Sequence, residues 1–324
     1  MVYTPLHGVG GETVRVVMER AGFDAPHVAV AQEQPDPDFP TVAFPNPEEP
    51  GAMDLAMSLA AEVGADIVVA NDPDADRCAV AVPDPHGWRM LRGDEVGALL
   101  GDSLLRSGTE GVYANSIVSS SLLGRLAASY GQPHEETLTG FKWIGRVEGL
   151  AFGYEEALGY CVAPGLVKDK DGVSALILLV ELAAQLKSED RTLNDRLDEI
   201  AHQHGLYATD QMSVRVTDLA VIGQAMDRLR SLPPTTLGGL AVQQVDDLAV
   251  GTADLPPTEG LRFRLEEEAR VIVRPSGTEP KLKCYLEVVV PVPADEDGGV
   301  DAARISAVGR LDAIRSDLSV AAGL

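Results

Sequence analysis

Three carboxylates crowd into five residues at Asp72, Asp74 and Asp76, and no other stretch restricts the fold so tightly. Ile67, Val68 and Val69 before them, and Cys78 to Val82 after them, are short apolar runs of strand type. The carboxylates therefore belong to a tight loop between two strands. Like charges at this spacing repel, and a loop holds them together only where a cation offsets the repulsion. Hard oxygen ligands select a hard ion, which points to Mg2+. Arg77 follows at once, and its guanidinium suits a phosphate oxygen. A solvated acidic turn is the plain alternative, since Asp is common in turns. An EF-hand loop is excluded: its sixth position needs Gly and holds Arg77, its twelfth needs Glu and holds Pro83, and strands flank it. A phosphatase-type nucleophile, with Asp72 attacking and Asp74 as acid, leaves Asp76 and Arg77 unexplained.

The surrounding chain sets the electrostatic problem. Its 324 residues suffice for two or three domains and carry 26 basic against 50 acidic side chains, a net charge of -24. Such a field repels nucleic acid and anionic membrane, so neither is expected as a partner, and an anionic substrate needs locally basic loops. Cys78, Cys161 and Cys284 lie far apart beside apolar residues. Buried free thiols and a reducing cytoplasm are expected from that. No apolar run reaches a membrane span, and the N-terminus lacks the pattern of a signal peptide.

Strand and helix patterns alternate through most of the sequence. They predict an α/β fold: two consecutive α/β domains with mixed sheets at 1–88 and 89–205, then a smaller α+β C-terminal domain at 206–324, also with a mixed sheet. Helices are expected at 52–63, 94–105, 119–130, 173–186, 193–204, 219–229 and 300–318, with a flexible acidic loop at 293–299. Trp143 and Ile144 are expected in the core. Asp171 is placed to cap the helix after it. Pro5 to Gly11 form a glycine-rich turn before the first helix, read as a turn that opens a domain.

Three further stretches carry chemistry. Thr139 and Gly140 sit at a helix start, where backbone N–H groups meet anions, and Lys142 follows as a phosphate contact, an acid/base group or simply an exposed lysine. Glu155 and Glu156 follow a strand, where paired carboxylates accept hydrogen bonds from sugar hydroxyls; Lys168 and Lys170 bring positive charge beside them. Arg274-Pro275-Ser276-Gly277-Thr278-Glu279-Pro280-Lys281-Leu282-Lys283 joins two strands with hydroxyls, open backbone N–H and cations, the composition of an anion-binding nest. In a chain of net charge -24 this is a local reversal.

Asn71-Asp72-Pro73-Asp74-Ala75-Asp76-Arg77 resembles the metal-binding loop of the alpha-D-phosphohexomutases, the phosphoglucomutase/phosphomannomutase superfamily. Thr139 to Lys142 is similar to that family's segment near the sugar. Gly153 to Gly159 resembles its sugar-binding loop, and Arg274 to Pro280 its phosphate-binding loop. Ala157 departs from the family pattern, which often has Ser there, and no His follows. The paired Glu is closer to a phosphoglucomutase branch. The resemblance covers nearly the whole chain and implies an isomerase of carbohydrate metabolism, moving a phosphoryl group between C1 and C6 of a hexose phosphate through a hexose 1,6-bisphosphate. It implies Mg2+ on Asp72, Asp74 and Asp76. Substrate would meet Thr139, Gly140, Glu155, Glu156 and Lys170, and its phosphate Arg77, Arg274, Ser276, Gly277, Thr278 and Lys283, with the three loops facing a common cleft. The family's phosphorylated serine lies in a Ser-His-Asn-Pro loop, absent from these 324 residues. Ser119-Ser120-Ser121 has no adjacent His and reads as a helix start. The expectation is domains two to four of a mutase without the phosphoserine domain. The alternatives are a non-catalytic hexose-phosphate-binding fragment and the Asp-nucleophile phosphatase.

Overall fold

The computed structural model describes residues 1–85, 87–252, 255–277, 279–293 and 299–324. Thr278 and most of the acidic loop at 293–299 therefore lie outside the described residues. The chain divides into two compact units, 1–119 with 123–197, and 198–324 with the short piece 120–122.

The first sheet is built from β1 (Val2–Thr4), β2 (His27–Val28), β3 (Val68–Asn71), β4 (Cys78–Asp84) and β5 (Gly87–Met90), with α1 (Gly10–Arg20) and α2 (Asp54–Val63) in the connections. Its order is β2-β1-β3-β4-β5. β2, β1 and β3 run parallel, while β4 and β5 turn back antiparallel. The acidic loop is thus the connection of an antiparallel pair at the C-terminal end of a parallel strand. In open α/β sheets, ligands gather at that end. α2 stops at Gly64, whose left-handed φ of 64° a glycine adopts without strain.

The second sheet repeats the plan. α3 (Gly93–Arg106), β6 (Val112–Ser116), α4 (Leu122–Ser129), β7 (His134–Thr137), α5 (Phe141–Ile144), β8 (Leu150–Glu155), β9 (Gly159–Cys161), α6 (Gly172–Ser188) and α7 (Leu193–His204) follow in order. The strands are ordered β7-β6-β8-β9, three parallel and the last antiparallel. α4 is shorter than the expected 119–130 because the preceding serines make a turn, Ser119 N–H donating to the Ser116 carbonyl at 3.0 Å. The Asp171 carboxylate caps α6, accepting from the N–H groups of Val173 and Ser174. Ile144 is fully buried, whereas Trp143 is only half-buried, with its indole under the ammonium of Lys142. The three cysteines are buried free thiols, and burial pushes Cys161 up to about 11 and Cys284 up to about 12. No helix among the described residues is long and apolar enough to cross a membrane.

The second unit holds β10 (Leu206–Arg215), α8 (Leu219–Ser231), β11 (Thr236–Leu237), β12 (Leu240–Asp247), β13 (Leu261–Leu265), β14 (Arg270–Pro275), β15 (Lys281–Val290) and α9 (Gly299–Ala322). Its sheet, β10-β15-β14-β13-β12-β11, is antiparallel at every described pairing, not mixed as the sequence pattern suggested. The reason lies in the connections. β13 to β15 are joined by connections of only four and five residues, and a parallel pair needs a crossover of a dozen residues or more. Ala303, Ala307, Leu311, Ile314, Leu318 and Ala322 recur every three or four residues on α9 and are buried in one core with Phe263, Val271, Val273, Cys284 and Leu286.

One polar pair braces the first unit. Arg196 of α7 donates to both oxygens of Asp102 on α3, at 2.8 and 2.6 Å, and Asp102 is 1 % exposed. Removing the guanidinium leaves a buried carboxylate without its counter-charge. Arg196→Ala is therefore expected to cost about 3–5 kcal/mol in chemical unfolding. A Asp102→Asn/Arg196→Leu double variant is expected to recover a large part of that loss.

Candidate active site

The acidic loop brings one oxygen from each of Asp72, Asp74 and Asp76 within 4.8 Å of one another. Ala75 makes this possible with a left-handed φ of 60°, and its N–H returns to the Asp72 carbonyl at 2.9 Å. Asp72 is 2 % exposed and faces Arg77, whose backbone N–H (3.0 Å) and Nε (2.5 Å) donate to its two oxygens. Asp76 meets the ammonium of Lys170, arriving from the segment before α6. Partial desolvation, and then the charges of Asp72 and Asp76, push Asp74 above the usual carboxylate range. Burial alone would pull Lys170 down, but the bond to Asp76 and the charges of Asp169 and Glu155 outweigh it and hold the group cationic. The donor set fits a small divalent cation. All three ligands are carboxylate oxygens, and their span is close to the roughly 4.2 Å across an octahedral Mg2+ site.

α6 closes the loop from the other side. Gly172 N–H donates to the Ala75 carbonyl at 3.1 Å. A Cβ at Gly172 would stand 2.2 Å from the Arg77 carbonyl oxygen and 2.7 Å from that of Ala75, so only glycine lets the helix start here. Arg77 also bridges to Gly159, and Cys78 N–H donates to the Leu158 carbonyl at 3.0 Å. Lys170 runs directly over Gly159, where a Cβ would meet its Cδ at 2.3 Å, and passes 5.9 Å from the centroid of the Phe141 ring. Asp72, Asp74, Asp76, Arg77, Lys170 and the loop around Glu155 thus form one assembly within the first unit.

The paired glutamates differ. Glu155 accepts from Gly140 N–H at 2.6 Å, which ties the sugar-loop candidate to the Thr139-Gly140 turn. Glu156 accepts from the hydroxyls of Ser116 (3.2 Å) and Ser119 (3.1 Å), and its own N–H donates to Ser119. Both serines are fully buried. Lys142 is exposed, with Nζ 5.8 Å from the Trp143 ring centroid.

In the second unit the expected anion loop is the β14–β15 hairpin, closed by Ser276 N–H donating to the Lys281 carbonyl at 2.8 Å. Arg274 stands directly opposite Lys283, and Arg215 of β10 directly opposite Lys281. Directly opposed residues share a sheet face, so four cations lie on one face of three strands, and like charges in that position repel. Glu279 neutralises part of this through Lys281 and Arg215, at 2.8 and 2.9 Å, which hold its carboxyl below the usual range. Among the described residues no carboxylate lies within ion-pair distance of Arg274 or Lys283. Gly277 is exposed, with no atom within 4 Å of where a Cβ would stand.

The phosphoglucomutase/phosphomannomutase family matches the chain in three successive pieces: alpha/beta/alpha domain II over residues 1–87, alpha/beta/alpha domain III over 92–204, and the C-terminal domain over 212–297. The chain belongs to this family. It is 48 % identical over 300 residues to a Haemophilus influenzae protein named "Probable phosphomannomutase", covering 91 % of this chain and 61 % of that one. A phosphopentomutase of Mus musculus is 36 % identical, over 91 % of this chain and 53 % of its own. A phosphoglucomutase of Staphylococcus aureus is 32 % identical, over 90 % and 57 %. The chain therefore spans between half and two-thirds of the length of these relatives. Among solved structures, the parafusin phosphoglucomutase of Paramecium superposes with a TM-score of 0.72 at 21 % identity, over all of this chain and 58 % of that one.

Several residues around the phosphohexomutase loops carry no motif of their own. Ser116 and Ser119 hold Glu156, Arg215 joins the cationic face, and Asn46 Oδ1 accepts from Arg77 Nη1 at 3.3 Å. All are distant in sequence from the groups they serve. Only the glycines hinted at close packing. Gly172→Ala is expected to lower the unfolding free energy by about 1–3 kcal/mol through overpacking against the acidic loop, measured by urea denaturation. Gly165→Ala, in open space, is expected to leave stability within about 0.5 kcal/mol.

Proposed function

We propose that this chain carries the metal, sugar and phosphate loops of a Mg2+-dependent phosphohexomutase. The convergence of Asp72, Asp74 and Asp76 on one point, with Arg77 and Lys170 beside them, carries this reading. The three carboxylates are the residues that would hold Mg2+, and the bound ion would supply positive charge against a transferring phosphoryl group. Arg77 orients Asp72 and presents its remaining guanidinium edge towards phosphate oxygens. Glu155 and Glu156 accept from sugar hydroxyls, with Thr139 and Gly140 lining the same turn and Lys170 adding charge. Arg274, Ser276, Gly277, Thr278 and Lys283 hold the phosphate that does not react. Lys142 is the candidate for proton transfer or a second phosphate contact.

The reaction class is an intramolecular phosphoryl transfer between C1 and C6, with a hexose 1,6-bisphosphate as intermediate or activator. That chemistry needs the phosphorylated serine, whose loop is not among these 324 residues, so the chain alone binds hexose phosphate without turning it over. The similarity to both phosphoglucomutase and phosphopentomutase makes glucose, mannose and ribose phosphates the set to compare. The Asp-nucleophile phosphatase reading is disfavoured by geometry. Asp72 is buried and both of its oxygens are engaged by Arg77.

Calorimetry on the 324-residue chain tests this. Glucose 1-phosphate is expected to bind, and Lys283→Ala to weaken it about tenfold, in line with loss of one charge-assisted hydrogen bond. Asp76→Asn is expected to abolish Mg2+ binding while leaving the fold intact by circular dichroism. With glucose 1,6-bisphosphate present, no interconversion of glucose 1-phosphate and glucose 6-phosphate is expected. Turnover by the isolated chain would sink the binding-only description of it, and release of inorganic phosphate would revive the phosphatase.

A further inference from the structure

A second group of polar side chains, with Thr4, His7 and Gln32 buried and Thr41 at the surface, is hydrogen-bonded beside the acidic loop. Leu6 and His7, in the glycine-rich turn after β1, both take left-handed backbone conformations, with φ of 45° and 58°, although both are buried and neither is glycine. Two consecutive residues in that region are costly, and such strain persists only where the surroundings impose it. The surroundings here are a closed set of hydrogen bonds. His7 Nε2 shares one with the Thr41 hydroxyl at 2.8 Å, and Gln32 Nε2 donates to that same hydroxyl at 3.0 Å. Gln32 Oε1 accepts from the Thr4 hydroxyl at 2.7 Å, and the Gln32 carbonyl accepts His7 N–H at 2.9 Å. The edge of the Phe39 ring covers the imidazole.

This strained turn touches the acidic loop directly. Val9 N–H donates to the Pro73 carbonyl at 2.8 Å, and a Cβ on Gly8 would stand 2.3 Å from Pro73 Cα. The segment that carries Thr41 also carries Asn46, which accepts from Arg77. The network therefore reaches the loop from two sides, at Pro73 and at Arg77.

We propose that His7, Gln32 and Thr41 are positioning residues for the Asp72–Asp76 loop. They hold the left-handed turn that fixes Pro73, and through it they set the separation of the three carboxylates. The inference rests on the reading of that loop as a metal site. None of the three side chains touches the metal or the substrate, and their effect passes through the backbone of residues 8, 9 and 73.

The test uses the whole 324-residue chain, Mn2+ as a spectroscopic probe titrated by electron paramagnetic resonance, and amide hydrogen exchange without metal. Thr41→Val removes the shared hydroxyl at almost constant volume, Thr41→Ser restores it, and His7→Asn shortens the side chain while keeping a residue that tolerates left-handed φ. Thr41→Val and His7→Asn are expected to weaken Mn2+ binding about tenfold, as outer partners of metal sites do, and to speed exchange at Val9, Ala75 and Arg77. Thr41→Ser is expected to match the parent chain in both. Combining Thr41→Val with His7→Asn is expected to be no worse than either alone, because one network is broken once. Parent-like exchange and parent-like Mn2+ affinity in Thr41→Val overturn the proposal, whatever happens to the melting temperature. If the parent chain and Asp76→Asn both fail to bind Mn2+, the metal reading falls, and unchanged exchange in Thr41→Val separately refutes the positioning role.

Discussion

Repulsion between three carboxylates in a five-residue loop is the constraint around which the first unit is arranged. A charge cluster of this kind is stable only if each member meets positive charge or donors, and the chain supplies them from remote places. Arg77 is adjacent, Lys170 arrives nearly a hundred residues later, and α6 places its first N–H on the loop backbone. The glycines at 8, 159 and 172 are where this convergence becomes sterically possible, since a methyl group at any of them would sit within 2.3 Å of a neighbouring atom. The tight packing of the two α/β sheets in this unit is thus as much an electrostatic arrangement as an apolar one.

The second unit solves the opposite problem. Its sheet gathers four cations on one face in a chain whose overall charge is -24. Glu279 pairs with two of them and acts on Lys283 only at longer range, and among the described residues no carboxylate forms an ion pair with Arg274 or Lys283. A sheet pays for such an arrangement in stability unless an anion relieves it. The same reasoning supports the acidic loop as the proposed cation site and this hairpin as the proposed anion site, and the two inferences do not depend on each other.

The position and charge of these loops were legible in the sequence because charge and glycine are local signals. Asp72-Pro73-Asp74-Ala75-Asp76 read correctly as a loop between strands, and Arg274 to Lys283 as one strand entering and another leaving, from the apolar runs on either side. The alternation of periods two and 3.6 disclosed two α/β sheets. What stayed hidden was long-range. Strand direction in the second unit depended on how short its connections are, and a pattern of strands followed by strands does not say so unambiguously. Ser116, Ser119, Gln32 and Thr41 are ordinary polar residues in sequence, and only the fold reveals that the first three are buried and that all four are bonded to a glutamate or to the network around a strained histidine. Lys170 showed as charge near the sugar loop, but its bond to Asp76 needed Gly159 and Phe141 to be brought beneath it.

The unlike surroundings of Glu155 and Glu156 bear on how such a loop recognises a sugar. A carboxylate that accepts two serine hydroxyls through Oε2 keeps lone pairs for further donors, yet it has lost the rotamer freedom that an exposed glutamate would surrender on binding. Its backbone is fixed as well, because the Glu156 carbonyl lies against Gly93, where a Cβ would stand at 1.8 Å. Glu155 is tied differently, to the N–H of Gly140 at the Thr139-Gly140 turn. One glutamate is anchored to buried serines at the end of a parallel strand, and its neighbour is coupled to a turn with φ of 105° at Gly140. On the sugar-binding reading proposed above, a sugar would meet two acceptors held by separate elements, one by buried serines and one by a turn. Separate supports of this kind let a change at one element alter one acceptor without displacing the other.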